Sequence, residues 1–157
     1  MNESAQMVLF RVAEQRYALP LEAVERIVRA VEVTPLPKAP AIVLGAIDVQ
    51  GRVLPVLNLR RRLGLPECEI SPAHFFVIAR TPRREVVLVI DEALSAMELP
   101  STGIVRAAKI VPGLAHVQGV VQLADGLVLI HDLEKFLSLD EERVLDEALK
   151  EGVAHGR

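Results

Sequence analysis

Short apolar runs broken by turn residues dominate the chain, and few of them keep helical spacing for long. Met7–Val12 (MVLFRV) and Tyr17–Leu21 (YALPL) read as two strands joined by a loop from Ala13 to Arg16. The following stretch, LEAVERIVRAV, puts Leu21, Val24, Ile27 and Val28 at helical spacing, yet its β-branched second half suits a strand equally well. Thr34–Pro40 (TPLPKAP) has three prolines and predicts an extended crossing segment, because proline lacks a ladder donor and biases the preceding residue away from helix. Gly45–Pro66 (GAIDVQGRVLPVLNLRRRLGLP) reads as strand, Gln50-Gly51 turn, strand and short helix. His74–Ala79 and Glu85–Ile90 flank RTPRR as a second hairpin, Ala93–Pro100 is a further strand, and Val117–Leu139 holds a hairpin around Asp125-Gly126 followed by a short helix. From Ser138 the tail predicts a terminal helix, with Ser138 and Glu141 at capping-box spacing and an apolar stripe of Val144, Leu145, Ala148 and Leu149.

The pattern repeats. Shifting the chain by about 74 positions lays Gly45–Leu65 on Gly119–Leu139: Ala46, Ile47 and Val49 meet Val120, Val121 and Leu123, and Asn58 meets Asp132, both helix N-cap types. Leu59, Leu63 and Leu65 meet Leu133, Leu137 and Leu139. Two small β units, each a hairpin closed by a short helix, are expected to pack together, since neither buries enough apolar surface alone. With few identities, chance likeness of two β-rich segments is the competing account.

Composition narrows the picture. The chain has 157 residues, 51% hydrophobic but only 3% aromatic, so Val, Leu, Ile and Ala must fill the core. A net charge of −3 gives no support to nucleic-acid binding, which needs a basic surface. The single cysteine, Cys68, suits a reducing compartment, the start MNESAQMVLF is unlike a secretory signal, and no apolar run approaches a membrane span. A cytoplasmic protein without direct membrane insertion is expected. No catalytic constellation is evident: there is no nucleophile elbow, P-loop or dinucleotide fingerprint, and His74, His116, His131 and His155 lack metal-ligand spacing. No catalytic residue, metal or cofactor is therefore expected. The acid pairs Asp91-Glu92 and Glu141-Glu142, and the basic run Arg60–Arg62, read as solvated faces.

From Val8 to Ser138 the chain resembles the CheW family of chemotaxis coupling proteins. The likeness rests on YALPL, the V-x-x-I of Val24 and Ile27, and the run from Leu36 to Arg60. That run parallels the family's LP-x-x-P-x-x-x-x-G-x-I-N-x-R-G-x-x-x-P-V-x-D-L-R. VVLVIDEALSAMEL and GVVQLADGLVLIHDLEKFLS continue it. The resemblance implies an all-β fold with a few short helices: two packed five-stranded SH3-like β barrels in residues 8–138, then a C-terminal helix and tail in 139–157. It also implies a non-enzymatic adaptor that links the cytoplasmic tips of methyl-accepting chemoreceptors to the regulatory domain of a CheA-type histidine kinase. Positions matching the family's interaction surface are Val24, Arg26, Ile27, Gly45, Val49, Gln50, Gly51 and Val87. Val24, Ile27, Val49 and Val87 read equally as strand core, and Gly45 and Gly51 as turn residues.

The chain departs from the family at two of these positions. Arg26 stands where an acidic residue is usual, and Gln50 replaces the arginine of N-x-R-G. If the two positions face each other, Arg26 is expected to turn to Asp48, and the altered charges suggest a specialised receptor and kinase set. A filler that binds receptor without kinase, a small-barrel ligand or nucleic-acid binder, and an enzyme subunit completed by a partner are the other readings.

Overall fold

A computed structural model describes residues 4–100, 104–106, 117–123 and 125–155. Eleven strands are found among them: β1 (Ser4–Val12), β2 (Gln15–Pro20), β3 (Val24–Arg29), β4 (Val43–Val49), β5 (Arg52–Leu57), β6 (Phe75–Arg80), β7 (Glu85–Ile90), β8 (Glu92–Pro100), β9 (Ile104–Arg106), β10 (Val117–Leu123) and β11 (Gly126–His131). The helices are α1 (Leu59–Leu63) and α2 (Leu139–His155), with single 3-10 turns at Leu21–Ala23 and Leu133–Lys135. The ambiguous LEAVERIVRAV stretch thus resolves into a 3-10 turn and a strand, as its β-branched second half favours.

The strands form two sheets, ordered β8-β1-β2-β11-β10-β9 and β3-β6-β7-β5-β4. Without the three-residue β9 the orders match strand for strand, with β8, β10, β11, β1 and β2 taking the places of β3, β4, β5, β6 and β7. The first unit is therefore built from both ends of the chain, and the second from its middle. The repeat extends to register. Val43↔Leu57 and Gly45↔Val56 in the β4–β5 pair become Val117↔His131 and Gly119↔Ile130 in the β10–β11 pair, with the irregularity at the same point. In each unit the second strand of this hairpin then pairs in parallel, β5 with β7 and β11 with β2.

Each sheet encloses a small core: Met7, Leu9, Ala18, Leu99, Val121, Val128 and Ile130 in the first; Ile47, Leu54, Val56, Phe76, Ile78 and Val87 in the second. The alternate residues of the same strands meet in a shared core. Phe10, Val12, Tyr17 and Leu19 of the first sheet pack there with Val77, Ala79, Val86, Leu88 and Ile90 of the second. This explains why HFFVIA and EVVLVI are continuously apolar: both faces of β6 and β7 are buried. His131 is buried at the end of β11. Its ring stacks on Tyr17 at 4.6 Å and Phe10 at 5.7 Å, with the edge of Phe136 at 5.0 Å.

Helix α2 lies on this shared core through Leu145 and the half-buried Leu149, and its Ala148 is buried as well. Its start is the expected capping box: Glu141 N–H donates to Ser138 Oγ at 3.1 Å, and Ser138 N–H to Glu141 Oε1 at 2.9 Å. The charged runs are solvated faces only in part, since Arg61 and Glu92 are exposed while the other members are half-buried or buried in ion pairs. Arg60 reaches Asp91, Arg61 reaches Glu67, and Arg62 holds Glu141 through two contacts of 2.7 and 2.8 Å. Glu142 is buried and accepts from Arg84 Nε at 2.7 Å. These residues tie the elements together, because burying a carboxylate requires a cationic or hydrogen-bonding partner. Of the other histidines, His116 lies outside the described residues and His155 ends α2.

Candidate binding surface on the second sheet

β3, β5 and β7 run in the same direction, so their first residues share one end of the second sheet with the β4–β5 and β6–β7 turns. That end is charged. Arg52, the first residue of β5, donates to Glu25 of β3 at 2.9 Å and to Glu85 of β7, and Arg80 reaches Glu85 at 3.3 Å. The hydrogen bond from Arg52 holds the Glu25 carboxyl at about 2, below its ordinary 4.5, with the neighbouring charge of Arg26 adding to the effect. The Arg52 pKa is raised in turn, first by Glu25 and then by Glu85.

Residues 50 and 51 form a two-residue hairpin loop closed by Val49↔Arg52, with φ of 53° at Gln50 and 86° at Gly51. Positive φ at both central positions is the type I′ signature, whose twist matches the flanking strands. The Gly51 N–H donates to Asp48 Oδ1 at 2.8 Å, which pins the turn. Asp48 therefore serves its own loop and does not pair with Arg26, contrary to the sequence expectation. Arg26 is exposed and makes no hydrogen bond or ion pair with a described residue. The structure brings Arg26 and Gln50 to one end of the sheet without joining them directly.

The remaining candidate positions separate by burial. Val24 and Ile27 on the edge strand β3 are half-buried against the shared core, where the two sheets meet. Val49 is half-buried against the core of the second sheet. Val87 is completely buried in that core, so it supports the surface from beneath and has no face free for a partner. Gly45 is buried too, under the extended segment after β3, where Thr34 and Ala46 exchange hydrogen bonds of 2.8 and 3.0 Å. Sequence reasoning missed Arg52, Glu25 and Glu85. Their signal was a charged residue at the first or second position of each of three strands, meaningful only once those strands were known to run the same way.

Among the described residues, no group of three or more His, Cys, Asp or Glu is placed to hold a metal ion. The nearest approach to a reactive cluster is Cys68, His74 and Asp91. Cys68 Sγ lies 4.0 Å from His74 Nε2, which is itself 3.4 Å from Asp91 Oδ1. His74 Nδ1 accepts from the Ser71 N–H at 2.9 Å, which puts the ring proton on Nε2. A histidine in that tautomer cannot take a proton from Cys68, so the trio is no nucleophile and base. No described helix is long and apolar enough to cross a membrane.

A family model for the CheW-like domain matches residues 6–141. The chain is 27% identical to the chemotaxis protein CheW of Rhizobium meliloti, over 89% of this chain and 92% of that protein. It is 31% identical to protein FrzA of Myxococcus xanthus, over 87% of each. The scaffolding protein TtCheW from Thermoanaerobacter tengcongensis has the same fold, with a TM-score of 0.79 at 22% identity over 87% of this chain and 94% of that one. The paired five-strand order, the domain match and the full-length relatives agree, and the chain belongs to the CheW family of chemotaxis scaffold proteins.

Proposed function

We propose that this protein is a non-enzymatic coupling protein that ties the cytoplasmic tips of methyl-accepting chemoreceptors to the regulatory domain of a CheA-type histidine kinase. The observation that supports the reading best is the placement of Val24, Arg26, Ile27, Gln50 and Gly51 on β3 and the β4–β5 turn of the second sheet. Half-buried Val24 and Ile27 lie at the seam between the sheets, beside the exposed charged end carrying Arg26, Gln50, Gly51 and Arg52. An apolar seam suits the apolar face of a receptor helix, and a charged strand end suits selective docking of a second domain. Such a scaffold acts by favouring one arrangement of what it holds.

Arg26 makes the partner choice specific. It adds a positive charge where the family usually has a negative one, and Gln50 removes a positive charge nearby. Complementary charges select partners more than they add affinity, so the protein serves a kinase and receptor set whose own charges are exchanged to match. The test is titration of the purified protein against each kinase regulatory domain and each receptor tip encoded in its genome. Selective binding to one set is expected, and the double change Arg26→Glu with Gln50→Arg should shift preference toward a typical partner by about ten-fold or more. Receptor binding with no kinase binding would replace this reading with that of an array filler, and binding to neither would overturn it.

A further inference from the structure

The opposite end of the second sheet holds a cavity of about 530 Å³, bounded by the segment after β3, the start of β4 and the loop before β6. Its floor is aliphatic. Val33 and Ile70 pack on the core of the second sheet, while Val31 and Leu44 stand 55% and 38% exposed. Its rim is acidic. Glu67 is occupied by Asn58 and Arg61, but Glu32 and Glu69 are exposed and make no hydrogen bond or ion pair with a described residue.

Two unneutralised carboxylates beside exposed aliphatic side chains select against an anionic or wholly polar occupant. They match a chain segment whose aliphatic side chains are flanked by lysine or arginine, the former covering Val31 and Leu44 and the latter meeting Glu32 and Glu69. The volume is that of an ordinary ligand site and holds a few side chains, not a folded domain. We infer that this cavity is a second docking site, for a basic aliphatic peptide segment of a partner. The sheet separates it from the Gln50 end, so both can be occupied at once.

Cys68 provides the probe. It is the only cysteine, it is exposed, and it lines the cavity, so a trifluoromethyl tag on its sulfur reports occupancy by fluorine NMR. The titrant is an octapeptide with two central leucines flanked by lysines; one control replaces the lysines by glutamate and the other replaces the leucines by serine. A saturable shift with the lysine-leucine peptide alone is expected. It should weaken about five-fold or more in the double variant Glu32→Lys, Glu69→Lys, and weaken with added salt, as exposed pairs do. Amide shifts of Val33 and Leu44 in untagged protein serve as a second readout should the tag itself fill the cavity. Equal binding of all three peptides, no saturable shift by either readout, or undiminished binding by the double variant would overturn the inference. A shift on concentrating the protein alone, abolished by the double variant, would also overturn it and assign the cavity to a second copy. The two changes are exposed and remote from Arg26, so binding at the Gln50 end should stay unaltered and report that the variant is folded.

Discussion

Gly45 sits where β4 passes beneath the extended segment after β3, and a Cβ built there would lie 2.3 Å from the Thr34 carbonyl oxygen and 2.6 Å from Val33 Cγ1. The backbone oxygen cannot step aside without breaking the Thr34–Ala46 pair. Gly45→Ala should therefore cost about 2–3 kcal/mol, the range of overpacking in a tight site, read as a lower urea midpoint at unchanged slope. The matching of Gly45 to the family motif thus has a packing reason in this chain. Gln50 presents the reverse case, a residue with a Cβ held at a φ of 53°. Asparagine tolerates the left-handed region better and gives a stronger type I′ turn with Gly51. Gln50→Asn should stabilise the protein by about 0.5 kcal/mol, a fraction of the left-handed penalty. An unchanged or lower midpoint would show that the Gln50 side chain contributes something the turn geometry does not reveal.

At the scale of elements, α2 shows how opposite charges replace apolar contacts. Among the described side chains of the helix, Leu145 and Ala148 are the well-buried apolar ones, and its first turns are acidic. Arginines from the second unit complete the attachment: Arg62 on Glu141, and Arg84 on both Glu142 and Asp146. Removing Arg84 leaves Glu142 buried without its partner, so Arg84→Ala should cost about 2–3 kcal/mol, somewhat below the loss of one member of a fully buried pair. Double-mutant cycles with Glu142→Gln should return most of that loss, and a purely additive cycle would assign the cost to lost packing of the arginine stem instead. The helix and its capping box were legible from Ser138, Glu141 and the spacing of Leu145 and Ala148. The arginines that hold it were not, because Arg62 and Arg84 lie 79 and 58 positions from their partners, Glu141 and Glu142, and only the fold brings them together. The Asp125-Gly126 hairpin shows a smaller slip of the same kind. Leu123 pairs with Gly126, so Gly126 opens β11 as a strand residue and is not a central residue of the turn. A dipeptide preference finds a hairpin but sets its register only to within a residue.

The whole molecule should behave as one cooperative body, because the two units share a core and a polar joint. Where β7 passes into β8, Asp91 accepts from the Ala13 N–H of the first unit at 2.8 Å and from Arg60 of the second at 2.8 and 3.0 Å. Burial alone would raise the Asp91 pKa, but the Ala13 N–H and the Arg60 guanidinium overcome it and lower the pKa from 3.8. The same balance holds at Glu141, where Arg62 and the Ser138 N–H outweigh burial and lower the pKa from 4.5. A carboxyl whose pKa is depressed on folding binds its proton more readily in the unfolded chain. Its contribution to stability is therefore complete above the ordinary value and is lost as pH falls through the folded one. Stability should accordingly be flat from neutral pH to about 5 and decline progressively below the ordinary 4.5, with Glu25 among the last to protonate, at about 2. Urea midpoints at a series of pH values test the window, and a decline that begins near neutrality would sink this assignment to carboxylates. Asp91→Asn separates the joint from the other acids. It keeps the shape but removes the charge that Arg60 faces, and should lower stability by about 2 kcal/mol at pH 7. Below the folded pKa of Asp91, where its carboxyl is neutral as well, the difference should largely vanish. Because Phe10, Tyr17, Val77 and Leu88 of the two sheets remain packed together, the variant should still unfold in a single step by every probe. Two separate transitions would show that Asp91, and not the shared core, makes the units one body.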